Sequence, residues 1–129
     1  MLTEAVLTTI IDATFEAVRL GELQTMRADA CDRLPFGVVG LDAAGIARVY
    51  NATEARLAGL DPEKVLGSSF FEAIAQCMNN FMVAQRFEDE PELDAIIPFV
   101  LTLRMRPTPV RLRLLAGRAA ALRFILIDR

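Results

Sequence analysis

Between Ile97 and Leu114 apolar and polar side chains alternate almost one for one, and this pattern restricts the fold more than any other feature of the chain. Ile97, Phe99, Leu101, Leu103 and Met105 fall in one series; Val100, Thr102, Arg104 and Arg106 fall in the other. After the turn Arg106-Pro-Thr-Pro109, Val110, Leu112 and Leu114 alternate with Arg111 and Arg113 in the same way. A period of two belongs to a strand with one face against a core, and a slip of one residue would turn every arginine inward. Ala121–Ile127 supplies a third apolar strand. Upstream, Phe36–Leu41 and Ile46–Tyr50 flank Asp42-Ala-Ala-Gly45, a hairpin turn in composition and length.

Between the two strand regions the period lengthens to that of short helices. Asn51 suits an N-cap for Ala52–Gly59, and Asp61-Pro62-Glu63 opens a second short helix, with Asp as cap and Pro in the first turn. Phe70–Ala75 reads as a third helical piece that ends near Cys77, and residues 80–90 as a fourth with the acidic end Glu88–Asp94. At the start, residues 3–20 read as a helix with the apolar stripe Val6, Leu7, Ile10, Ile11, Phe15 and Val18, terminated by Gly21. A weaker helical stretch, residues 22–33, follows. The expected organisation is therefore an N-terminal helical extension, 1–33, and one further domain, 34–129. The expected fold is α+β: two strands, several short helices, then three strands.

Composition excludes more than it assigns. The 129 residues suffice for one core, and no apolar run has the length of a membrane span. Glu4, Asp12 and Glu16 interrupt the apolar start, so we read a cytoplasmic protein with no membrane role. There is no histidine, which removes Ser-His-Asp and Cys-His catalysis, histidine metal sites and histidine-ligated haem. The two cysteines, Cys31 and Cys77, lack disulfide-framework or metal-site spacing. A net charge of −3 argues against nucleic acid as a partner. Residues 1–94 hold 16 of the 17 acidic side chains, whereas residues 95–129 hold 7 of the 14 basic ones. We expect these halves to satisfy each other within the molecule. An acidic partner is the alternative.

The segment from Leu34 to Cys77, LPFGVVGLDAAGIARVYNATEARLAGLDPEKVLGSSFFEAIAQC, resembles the photoactive yellow protein branch of the PAS sensor family. The likeness runs from residue 34 to 127. It rests on the ordered sum of Phe36-Gly37, Leu41-Asp42, Tyr50-Asn51-Ala52, Asp61-Pro62, Gly67, Phe70-Phe71, Cys77 and Met105-Arg-Pro-Thr108. It implies a PAS fold: a five-stranded antiparallel sheet with short helices and a ligand pocket on one face. It also implies a 4-hydroxycinnamic (p-coumaric) acid held as a thioester on Cys77, with Tyr50 and Glu54 holding its phenolate and Phe70 and Met105 close to it. The function implied is blue-light reception, without enzymatic turnover, with output through an unidentified signalling protein.

The residue chemistry matches those roles. A thioester needs one thiol facing a pocket; a buried phenolate needs strong donors, because an unpaired buried charge is costly. A tyrosine hydroxyl and a carboxyl kept neutral by burial are two such donors. The bland alternatives are a small buried hydrophobe at Cys77, strand-end packing at Tyr50, and an exposed Glu54 paired with Arg56 or with nothing. The chain departs from the resemblance at Ala58, Leu60, Gln76 and Leu101, where the family has a threonine, an arginine, a proline and an aromatic residue. The loss of supporting polar groups at Ala58 and Leu60 favours the alternative of a pigment-free PAS module for protein interaction or small-ligand sensing. Alternation puts Arg104, Arg106, Arg111, Arg113 and Arg123 on the sheet face away from the pocket. The apolar stripe of residues 3–20 must be covered, either by that face or by a second copy in a homodimer.

Overall fold

The computed structural model describes residues 13–102 and 106–129. Five strands form one sheet in the order β2-β1-β5-β4-β3, with every neighbouring pair antiparallel. They are β1, Gly37–Leu41; β2, Ala47–Tyr50; β3, Leu93–Leu101; β4, Thr108–Ala116; and β5, Arg123–Asp128. The helices are α1, Leu20–Thr25; α2, Ala28–Asp32; α3, Ala52–Ala58; α4, Pro62–Val65; and α5, Ala84–Asp89. A single π turn, Phe70–Ile74, and a 3₁₀ turn, Gln76–Met78, lie between α4 and α5. The five-stranded α+β architecture read from the sequence is the one observed. Among the described residues no helix is long and apolar enough to cross a membrane.

The sheet is buried on both faces at its centre, which explains why β1 and β5 carry apolar runs without alternation. On one face Val39, Leu41, Phe99, Leu101, Leu112, Leu114, Ile125 and Ile127 pack beneath Tyr50, Val65, Phe70, Met78 and Phe87. On the other, Val38, Leu115, Phe124 and Leu126 pack against Phe15, Val18, Leu23, Cys31 and Leu34 from the N-terminal part. The β1–β2 hairpin turns at Asp42, whose carboxylate accepts from the N–H groups of Ala44 at 2.9 Å and Ile46 at 3.0 Å, and Gly45 supplies the positive φ of 81°.

Three expectations are corrected at the N-terminus and at β5. The helix read over residues 3–20 does not run through its described part: residues 14–17 form a turn, and α1 begins only at Leu20. Residues 1–12 lie outside the described residues. Gly21 does not end a helix; it is the second residue of α1, and the weak stretch that follows breaks at Met26-Arg27 into two helices. Arg123 is not on the outer face: it stands on the helical side, 4.0 Å from Glu88 of α5, because β5 turns its odd-numbered residues that way. The acidic run is also shorter than expected, since β3 starts at Leu93 and takes in Asp94.

Arg111 and Arg113 do lie on the outer face, where they bind the molecule's own N-terminal part. Arg113 is buried and forms a two-pronged ion pair with Asp94 at 2.9 and 3.0 Å. Its remaining nitrogen donates to the carbonyls of Phe15 at 3.0 Å and Val18 at 2.6 Å, so one guanidinium ties β3, β4 and residues 15–18 together. Arg111 pairs with Glu16 at 2.8 Å and with Asp128 at 2.5 Å, and covers the Phe15 ring at 4.8 Å. The charge asymmetry of the sequence is thus largely met inside the chain. Arg113→Ala is expected to destabilise the protein by about 2 kcal/mol, since it removes several charge-assisted bonds while leaving Asp94 free to rehydrate. Urea unfolding measures this; a loss within about 0.5 kcal/mol would mean that residues 15–18 dock without it.

Candidate functional site

Asn51 builds the site. Its side chain is buried at the junction of β2 and α3 and makes four hydrogen bonds. The amide oxygen accepts from Glu54 N–H at 3.0 Å, the helix cap read from the sequence, and from Val38 N–H at 2.9 Å. The amide nitrogen donates to the carbonyls of Cys31 at 2.9 Å and Phe36 at 3.1 Å. The first turn of α3 is thereby fixed over β1. Thr53 adds a hydrogen bond to the carbonyl of Leu34 at 2.5 Å.

With α3 so placed, Glu54 is directed onto the sheet and is 1% exposed. Gly37 lies directly beneath: a Cβ there would stand 2.1 Å from the carboxylate oxygen Oε1, so only glycine leaves room. The partner of Glu54 is not Arg56, which is exposed, but Arg129, whose two terminal nitrogens donate to the two carboxylate oxygens at 2.6 and 3.1 Å. Burial raises the Glu54 carboxyl above its ordinary value, and Arg129 pulls it partly back. Tyr50, also buried, is held far above the ordinary phenol value by burial first and by the charge of Glu54 second, so it is a neutral donor.

Cys77 sits in the 3₁₀ turn and is half-buried, packed against the same apolar cluster that contains Tyr50 and Phe70. Its backbone carbonyl is anchored by Asn80 Nδ2 at 2.9 Å. Phe70 is buried at the start of the π turn, which the bond from Ala75 N–H to the Phe70 carbonyl closes at 2.8 Å, and its ring meets Phe71 edge-on at 5.6 Å. The other cysteine, Cys31, is buried in the opposite cluster, and burial pushes its thiol up to about 11. Cys77 is therefore the more accessible thiol of the two. Met105 lies outside the described residues. Leu60 and Leu101 both pack into the cluster around Tyr50, and Ala58 is buried.

Tyr50, Phe70 and Cys77 thus share the helical side of the sheet, and Glu54 is close enough for its charge to act on Tyr50. Arg129 was missed in the sequence. The signal was available: β5 sends Ile125 and Ile127 to this side, and continuing the alternation by two residues brings Arg129 there as well.

The comparisons with known proteins agree with this fold. Residues 25–114 match the family described as PAS fold. The photoactive yellow protein of Rhodothalassium salexigens is 35% identical over 86 residues, 64% of this chain and 69% of that protein. That of Halochromatium salexigens is 33% identical over 95 residues, 71% of this chain and 76% of that protein. Among solved structures, the photoactive yellow protein domain of the sensor histidine kinase Ppr from Rhodospirillum centenum superposes with a TM-score of 0.78 at 32% identity, covering 86% of this chain and all of that one.

The raised carboxyl of Glu54 has a signed consequence for stability. Between the ordinary value of 4.5 and the raised folded value, the native protein binds more protons than the unfolded chain, so this group's contribution falls as pH rises through that window. Glu54→Gln should remove that contribution. Urea unfolding of both proteins across the window checks it: the stability difference between them should change with pH, and a constant difference would mean that Glu54 titrates as an ordinary exposed carboxyl.

Proposed function

This chain belongs to the photoactive yellow protein family of PAS domains, and we propose that it is a blue-light sensor carrying a 4-hydroxycinnamoyl group as a thioester on Cys77. The observation that supports this reading most is the placement of an accessible thiol, Cys77, on the same side of the sheet as the neutral buried donor Tyr50 and the buried carboxyl of Glu54. The group, when bound, supplies visible absorption and a double bond that isomerises in light.

The chain's own residues would do the rest. Cys77 anchors the ligand at one end. Tyr50 donates to its oxygen at the other, and stays protonated there because burial disfavours the charged phenol. Glu54 holds an exchangeable proton at a carboxyl whose ionised form is costly to bury without a partner. Phe70 walls the cluster against water. A change of charge at Glu54 acts on Gly37 of β1 beneath it and on the end of β5 through Arg129, which gives the site a mechanical link to the sheet. Output passes to a separate signalling protein or a second copy of the chain. The protein turns over no substrate.

One observation favours a second reading, a pigment-free PAS module that binds a protein or small ligand. Glu54 already has a full partner in Arg129, and Leu60 and Leu101 make the surrounding cluster apolar. Incubation with activated 4-hydroxycinnamic acid, followed by mass spectrometry of the intact protein and its peptides, separates the two. The sensor reading expects one adduct, on Cys77, that is lost in Cys77→Ala. A folded protein that takes up no adduct, or one that Cys77→Ala leaves unchanged, would overturn it.

A further inference from the structure

The two-pronged contact between Arg129 and Glu54 is an ion pair with a fully buried carboxylate on the helical side of the sheet, and the mechanism above uses the guanidinium only as a link to β5. Glu54 is 1% exposed and the Arg129 side chain 19%. The contact joins α3 to the end of β5 across Gly37, whose missing side chain makes the approach possible. We propose that Arg129 is a positioning residue for Glu54: it holds the carboxyl ionised and turned toward the sheet in the pigment-free protein, so that Glu54 has a proton to give only after this pair loosens.

The geometry carries the argument. Nitrogen–oxygen distances of 2.6 and 3.1 Å at both oxygens are those of a charge-assisted fork. Arginine does not give up its proton in proteins, so a neutral Glu54 in this contact would leave a largely buried guanidinium without its counter-charge. The other titratable group felt at this position is Tyr50 on β2, which stays neutral; α3 itself adds Arg56, whose side chain is exposed. Burial favours protonation of Glu54 and Arg129 opposes it, so removing Arg129 leaves only the first influence.

The consequence for signalling rests on the light-sensor reading. There, the guanidinium and a ligand phenolic oxygen would compete for the same carboxyl, and loading would redistribute those contacts. Arg129 would then decide how readily Glu54 exchanges a proton, and the strength of the pair would set the pace of the dark return.

The test uses the pigment-free protein. Carbon-13 NMR of labelled glutamate carboxyls follows Glu54, assigned by its loss in Glu54→Gln, and infrared absorption of the protonated carboxyl gives an independent reading. The unmodified protein should show Glu54 ionised at neutral pH. Arg129→Gln should raise its midpoint by about 1–3 pH units and bring up a protonated-carboxyl band that vanishes in Arg129→Gln/Glu54→Gln. Arg129→Lys, which keeps the charge, should restore most of the ionised form. A Glu54 already neutral at pH 7 in the unmodified protein, or an unmoved midpoint in a folded Arg129→Gln, would overturn the proposal. The measurement on the unmodified protein stands even if Arg129→Gln fails to fold. Failure of the pigment to attach, with the midpoint shifted as expected, would remove the light-sensor reading and leave the role of Arg129 intact.

Discussion

The four hydrogen bonds of the Asn51 side chain are the constraint on which the site depends. A buried amide with both oxygen and nitrogen fully used is expensive to disturb, because each broken bond leaves a backbone group without water to replace it. Here those backbone groups belong to α2, the entry to β1, β1 itself and the first turn of α3. One side chain therefore sets the angle at which α3 meets the sheet, and that angle turns Glu54 inward instead of toward solvent. The same short segment carries Tyr50 immediately before Asn51, so strand end, cap and helix deliver two candidate site side chains within five residues.

Burial of Glu54 then forces a choice. A carboxyl at this depth must be neutral or must have a cation, and the molecule supplies the cation from the far end of the chain in sequence but the adjacent strand in space. Gly37 makes the approach possible by having no side chain. The outer face solves a related problem by a different route: Arg113 is buried too, but its partners include backbone carbonyls of residues 15 and 18, so the charge holds a structural segment. Two arginines on opposite faces thus do different work, Arg113 stapling the N-terminal part and Arg129 pairing with the buried Glu54.

Much of this was legible in the residues. Period-two alternation gave β3 and β4, the Asp42–Gly45 turn gave the hairpin, and Asn51 and Asp61-Pro62 gave the starts of α3 and α4. The spatial strand order was not read, because alternation says which face a residue takes but not which strand lies beside it. In its described part the N-terminal helix failed as read because its periodicity continued through Phe15 and Val18, whose side chains serve the outer-face core from a turn and the residues just after it. Arg123 was misassigned because three arginines on β4 and its preceding turn suggested a common face, whereas β5 has its own phase. That Gly37 and Arg129 both meet Glu54 could not be read from local pattern, since it depends on the register of β1 against β5.

The central claim is that this site is a light sensor and not a general ligand pocket. It is tested most directly by absorption spectroscopy of the protein after exposure to activated 4-hydroxycinnamic acid, with and without blue illumination. The account expects a visible band, absent in Cys77→Ala, that bleaches in blue light and returns in darkness. A folded protein with no such band, or with a band that light leaves unchanged, would contradict it.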